Sequence, residues 1–184
     1  MALALFARTC AKNVAGASKV FIAENASITG ITVATGEISV ITGTTPFLRV
    51  DTEQDSVQWE EKLEKVGDNN VKVTQTIDFK VVPPATATNT FIQALIDGSP
   101  CGLFAIVIDG NGKCWLVGYN TTDLKNRPLR IQSVTQKTGA NPSDAEGQTA
   151  AIQIGHEAGG IALPFDATLT AAIIAGTSTM IKWT

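Results

Sequence analysis

Two stretches near the middle of the chain alternate apolar and polar residues with a period of two. Over residues 71–82, Val71, Val73, Ile77, Phe79 and Val81 fall on one face, and Lys72, Thr74, Thr76, Asp78 and Lys80 on the other. Over residues 56–66, Val57, Trp59 and Leu63 share a face opposite Ser56, Gln58, Glu60, Lys62 and Glu64. Successive side chains of a strand point to opposite faces, so both stretches read as strands that are apolar on one side and wet on the other. Gly67-Asp68-Asn69-Asn70 between them is turn chemistry, because Gly and Asn accept positive φ. The pair is a long antiparallel hairpin. Its strands exceed the usual length of about 5–6 residues. An isolated hairpin is marginal in water and leaves its edges open, so strands of other subunits are the economical partners.

Elsewhere the pattern is of short β segments. Residues 19–23, 28–34 and 37–42 are rich in Val, Ile and Thr and punctuated by Gly30, Gly36 and Gly43, with a further extended piece at 47–51 after Pro46. Pro83-Pro84 stops the long hairpin. Residues 88–97 read as a short helix, with Thr88 or Asn89 as cap, Phe91, Ala94 and Leu95 facing a sheet, and Gly98 closing the end. Residues 103–108 and 114–118 are apolar on both faces around a Gly/Asn tip, which predicts a core hairpin. Residues 129–137 and 148–155 are two more strands, separated by a polar loop at 138–147. Residues 158–160 are a joint, 167–175 fit helix or strand equally, and 180–183 end the chain as a strand. The fold class is mostly β, a sandwich or partial barrel with one or two short helices. Residues 1–16, which lack a period, are an N-terminal arm, and 17–184 form one β-rich domain.

Composition narrows the function. Charged residues are only 17% of the chain, against a usual share of about 25%. A surface of Thr, Ser, Asn, Gln, Ala and Gly loses little hydration on contact, which suits a subunit covered by its neighbours and also an ordinary Thr-rich β-domain. The formal charge of −3 argues against a protein that grips nucleic acid through phosphates, though not against a surface that DNA slides past. Cys10, Cys101 and Cys114 are odd in number and form no CxxC pair, so neither a disulfide framework nor a zinc site is expected. Residues 1–8 hold an apolar run too short for a signal peptide, and no run is long enough to span a membrane. Asn25-Ala26-Ser27 and Asn120-Thr121-Thr122 match a glycosylation triplet without a secretory signal, and read as chance.

Catalytic chemistry is thin. His156 is the single histidine, and no Gly-x-Ser-x-Gly turn is present, so a surface or interface role fits it better than catalysis. Asp109-Gly110-Asn111-Gly112-Lys113 imitates a calcium loop but puts Lys113 where an acid belongs, and reads as a hairpin turn. Asp51, Glu53, Asp55, Glu60, Glu61 and Glu64 form an acidic cluster, read as a solvated strand face or a negative wall. Trp59, Trp115 and Trp183 lack accompanying Arg/Lys strings, so packing suits them better than base stacking. No enzyme activity, cofactor or metal is expected.

Six segments, taken in order, resemble the tail tube (major tail) proteins of tailed bacteriophages. They are residues 16–23, 36–42, 47–61, 76–80, 106–118 and 138–147. The last two are similar to that family's core hairpin and to the loop that follows it, here Gly139-Ala140, Ser143-Asp144 and Gly147.

The resemblance implies a virion structural protein, made in the host cytoplasm. Its subunits would form hexameric rings that stack into a hollow tube. Strands from every subunit would join in one inner barrel through which DNA passes without specific binding. Its partners would be other copies of itself, tip and terminator proteins and a sheath where one exists, with no membrane. The lumen-facing candidates are then Ser56, Gln58, Glu60, Lys62, Glu64, Lys72, Thr74, Thr76, Asp78 and Lys80, a set of mixed sign. The ring-stacking candidates are Arg49, Asp51, Glu53 and Asp55, with the N-terminal arm. A capsid decoration or head–tail joining protein, or a non-enzymatic β-type binding module, are the alternatives the residues leave open.

Overall fold

The computed structural model describes residues 16–53, 55–68, 70–81, 86–119, 128–137, 149–158 and 160–182. The expected arm lies outside them except for Gly16, as do Cys10, Pro83-Pro84, the loop at 138–147 and Trp183. In chain order the elements are β1 (Ala17–Glu24), β2 (Ile28–Ala34), β3 (Glu37–Gly43), β4 (Phe47–Arg49), β5 (Gln58–Val66), β6 (Asn70–Val81) and helix α1 (Thr86–Gly98). Then come β7 (Leu103–Asp109), β8 (Cys114–Val117), β9 (Arg130–Lys137), β10 (Thr149–Ala158), β11 (Leu163–Pro164), helix α2 (Ala167–Ile174) and β12 (Ile181–Lys182). The chain is mostly β, and among the described residues there are three sheets, none closed into a barrel. A six-stranded sheet has the order β11-β8-β7-β1-β4-β12, a four-stranded sheet has β5-β6-β10-β9, and β2 pairs with β3 alone.

The sequence of β7 explains why the six-stranded sheet lies in the middle. Leu103, Ala105 and Val107 enter one apolar cluster, and Phe104, Ile106 and Ile108 enter a second on the opposite face. Both rows are buried, as a strand apolar on both sides requires. β1 divides the same way, Val20 and Ile22 against Phe21 and Ala23. The four-stranded sheet closes the first cluster with Ile77, Phe79, Ile152 and Ile154, and α1 adds Ile92 and Leu95. The β2–β3 ribbon closes the second with Ile38 and Ile41, and α2 adds Ile173. Each such side chain contributes about 1.5–3 kcal/mol by leaving water.

The helices differ in detail from expectation. α1 begins at Thr86, so Thr88 and Asn89 lie in its first turn and do not cap it; Asn89 Oδ1 instead accepts from Gln136 Nε2 at 3.0 Å. The buried stripe runs Ile92, Leu95, Gly98 at a spacing of three residues, which leaves Ala94 exposed and Phe91 half-buried. Residues 167–174 are helical because Asp166 caps them, its Oδ1 accepting from Leu169 N at 2.6 Å.

The two larger sheets cross. Glu53 N, just past β4, donates to Lys80 O at 2.7 Å, and Gly118 N, just past β8, donates to Gln75 Oε1 at 3.3 Å. From Gln75 to Lys80 extended chain covers about 17 Å, and the strand spacings from β8 to β4 cover about 14 Å. β6 therefore runs across the six-stranded sheet. The β5–β6 hairpin thus leads toward the β11 end of that sheet, where Ala162 N donates to Glu61 Oε1.

Candidate assembly surface

The outer face of the four-stranded sheet carries the polar set that alternation selects. Gln58, Glu60, Lys62 and Glu64 of β5 lie opposite Asp78, Thr76, Thr74 and Lys72 of β6. The rows continue into β10, where Asp78 faces Gln153, Thr76 faces Gly155 and Thr74 faces Glu157, and Arg130 of β9 faces Gly155. Lys80 lies in the same series opposite Ala151. Ser56 stands apart. It precedes β5, its Oγ donating to Glu53 O at 2.7 Å and accepting from Lys80 N at 3.2 Å, so its hydroxyl fastens a loop.

The charges on this face nearly cancel. Glu60, Glu64, Asp78 and Glu157 oppose Lys62, Lys72, Lys80, Arg130 and Lys137, the last opposite Thr149 at the end of β9. Lys62 Nζ is 2.7 Å from Glu64 Oε1, and Lys72 pairs with Glu157. The hydrogen bond and charge of Glu64 raise the Lys62 ammonium above the usual lysine value, and Lys62 in turn holds Glu64 below the usual carboxylate range. The face is thus polar and nearly neutral, without the uniform sign of a wall.

The edges of the two larger sheets differ. The six-stranded sheet ends on β11 and β12, two residues each, while the four-stranded sheet ends on β5 with nine and β9 with eight. No described strand pairs with the outer edge of β5 or β9. α1 lies beside β9: Ser99 Oγ, just past the helix, accepts from Ile131 N at 2.9 Å near the start of the strand, and Asn89 of the helix accepts from Gln136 near its end. β5 carries Glu60, Glu61, Lys62, Glu64 and Lys65, charges that discourage indiscriminate edge pairing.

Arg49, Asp51, Glu53 and Asp55 are all exposed on the segment that links the two sheets. Val50 and Val57, both buried, anchor its ends. Arg49 lies 3.4 Å from Asp51, and Asp55 takes a positive φ of 57°. These four share one end of the subunit, beside Lys80.

One polar group escaped the sequence reading. On the inner face, Glu61, Gln75 and His156 form a single cross-strand row over β5, β6 and β10. Gln75 is fully buried. Its Nε2 donates to Glu61 Oε1 at 2.5 Å, and its Oε1 lies 2.8 Å from His156 Nε2. Ala162 N also donates to Glu61 Oε1 at 2.5 Å. The row fastens the loops after β8 and before β11 to the hairpin. Beside it Trp59 meets Trp115, ring centroids 5.4 Å apart, and Trp115 Nε1 donates to Asp109 Oδ2 at 3.1 Å. The same Asp109 closes the β7–β8 turn, its Oδ1 accepting from Asn111 N and Lys113 N at 2.8 and 2.9 Å.

Among the described residues, no group of three or more His, Cys, Asp or Glu is placed to hold a metal ion, and no helix is long and apolar enough to cross a membrane. No protein-family model, curated protein or solved structure matches the chain.

Proposed function

We propose that this chain is a tail tube subunit of a tailed bacteriophage, a virion structural protein that stacks as rings to form a conduit for DNA. The observation that carries the reading is the four-stranded antiparallel sheet, with a polar, nearly neutral outer face and long edges on β5 and β9. An even number of antiparallel strands makes the two edges run in opposite directions. A rotated copy then presents its β9 antiparallel to β5, and the ladder continues from subunit to subunit. Six copies give a barrel about 115 Å around at about 4.8 Å per strand. Its diameter is about 37 Å before strand tilt widens it, enough to pass duplex DNA.

The sequence resemblance supplies the family, and the low charge content supports burial between neighbours. In this reading Gln58, Glu60, Lys62, Glu64, Lys72, Thr74, Thr76, Asp78 and Lys80 line the lumen. Arg49, Asp51, Glu53 and Asp55 meet the next ring. The partners are further copies, tip and terminator proteins, and a sheath in contractile tails. DNA passes without specific binding. The chain acts without catalysis.

Negative-stain electron microscopy of the purified protein across a concentration series tests the reading. Stacked rings or hollow tubes are expected, with or without a tail-tip complex to start growth. Monomers or small closed oligomers under every condition, tip complex included, overturn it and favour a decoration protein or binding module.

A further inference from the structure

The inner face of the β5–β6 hairpin does not stop at the core. Beyond the Glu61–Gln75–His156 row, Leu63 and Val71 are 59% and 60% exposed. Lys65 lies directly opposite Val71 on that same face and takes part in none of the described ion pairs. The hairpin tip thus presents two aliphatic side chains and one ammonium.

A groove of about 210 Å³ opens at the opposite corner of the subunit, between α1 and the ends of β1 and β4. Leu48, Phe91 and Ala94 form its apolar walls, and among the described residues Glu24 is the one charged residue that lines it. Leu48 is 49% exposed. The hairpin meets residues 160–162, just before β11 at one end of the six-stranded order, through Gln75 Nε2 to Gly160 O and Ala162 N to Glu61 Oε1, while the groove adjoins β4 near the other end. In the four-stranded sheet the tip belongs to the β5 edge, and α1 flanks the β9 edge. A benzene-sized group fits in roughly 150 Å³, so the groove has room for one branched aliphatic side chain and part of a second.

We propose that the hairpin tip of one copy seats in the α1–β4 groove of the next. Leu63 and Val71 enter the apolar cleft, and Lys65 pairs with Glu24. Shape and charge both match: an apolar knob with one cation meets an apolar groove with one anion. Knob and groove are different surfaces, so the contact is heterologous and repeats head to tail. It rests on the self-assembling reading above and specifies where two subunits touch.

Thiol cross-linking of the full chain tests it. On a Cys101→Ser background that keeps Cys10, Leu63→Cys and Ala94→Cys are oxidised singly and mixed, under conditions where the parent assembles. A disulfide forms only where Cα atoms approach within about 7 Å. The expected result is a 63–94 linkage in the mixture and in neither variant alone, identified by peptide mass spectrometry. Lys65→Glu and Glu24→Lys should each lower the assembled fraction several-fold, and together restore it.

A 63–63 bond, which means tip-to-tip contact, overturns the proposal. So does a 94–10 bond, which means that the chain's own first residues fill the groove. Tubes that form with no bond at all, or charge reversals that fail to compensate, overturn it too. In each of those cases tubes seen by microscopy leave the tail tube reading standing; a parent that never assembles overturns both.

Discussion

His156 Nε2 lies 2.8 Å from Gln75 Oε1, and the surroundings of Gln75 decide which atom carries the hydrogen. Gly118 N donates to that oxygen at 3.3 Å, while Gln75 Nε2 donates to the Glu61 carboxylate. An amide oxygen only accepts, so the hydrogen sits on His156 Nε2. The single histidine of the chain is therefore a strut between β6 and β10, placed where the hairpin leaves the core. One row earlier the inner face is apolar, with Trp59, Ile77 and Ile154 in register. The row of Glu61, Gln75 and His156 is the polar seam between the buried part of the sheet and the exposed hairpin tip.

Gln75→Ala removes the centre of that seam. Gly118 N and His156 Nε2 both lose the Gln75 amide oxygen as acceptor, and a buried group so stranded costs about 1–3 kcal/mol. A loss of about 2–4 kcal/mol in urea unfolding is the expected result, at the high end for a single substitution. A loss under about 0.5 kcal/mol, the range of ordinary surface changes, would show that the amide holds nothing together.

Thr35 offers the opposite case. It and Gly36 join β2 to β3 with φ of 52° and 83°, a pair of positive values that type I′ turns require. A β-branched residue is strained in that region, and Asn tolerates it. Thr35→Asn should stabilise the protein by about 0.5–1 kcal/mol. Calorimetry that finds an unchanged or lower midpoint counts against strain at this turn.

The architecture was legible wherever one face alternated. The outer set from Gln58 to Glu64 and from Lys72 to Lys80 follows from parity alone, because a strand with one dry side has no freedom to slip by a residue. The burial of β7 on both faces was equally plain. Parity also held the clue that went unused. Glu61 and Gln75 occupy positions that alternation assigns to the core, and two polar residues there announce either an error or a satisfied network. The third member, His156, could not be placed by parity, because the pairing of β10 with β6 joins residues far apart in the chain. The helix over residues 167–174 was ambiguous because eight residues barely show a period, yet Asp166 was a cap in plain view.

The two described thiols should separate cleanly. Cys101 is exposed, whereas Cys114 is buried, and desolvation pushes its thiol up to about 11. At pH 8 only about one Cys114 in a thousand is then a thiolate, the nucleophilic form. Alkylation of the native protein at pH 8 should label Cys101 within minutes and leave Cys114 intact until denaturant is added. Peptide-resolved mass spectrometry reads the result. Equal labelling of both would mean that the β7–β8 hairpin opens far more often than its burial allows.

The nearly neutral outer face leads to a prediction about DNA. Affinity for duplex rests on cations that displace condensed counterions, and it falls with salt in proportion to their number. Four acids against five bases leave this face one net positive charge, too little to hold duplex near physiological salt. The protein, assembled or not, should fail to retard duplex DNA near physiological salt. Glu60→Lys, Glu64→Lys and Asp78→Lys together change the face by six charges. All three side chains are exposed or half-buried, so the fold should survive. The triple variant should bind DNA at low salt and release it steeply as salt rises. The conduit proposed above would gain from this near-balance, because every phosphate held on one side of a lumen must be released before the duplex advances. Retardation by the unaltered protein as strong as that of the triple variant would remove this face from the path of DNA.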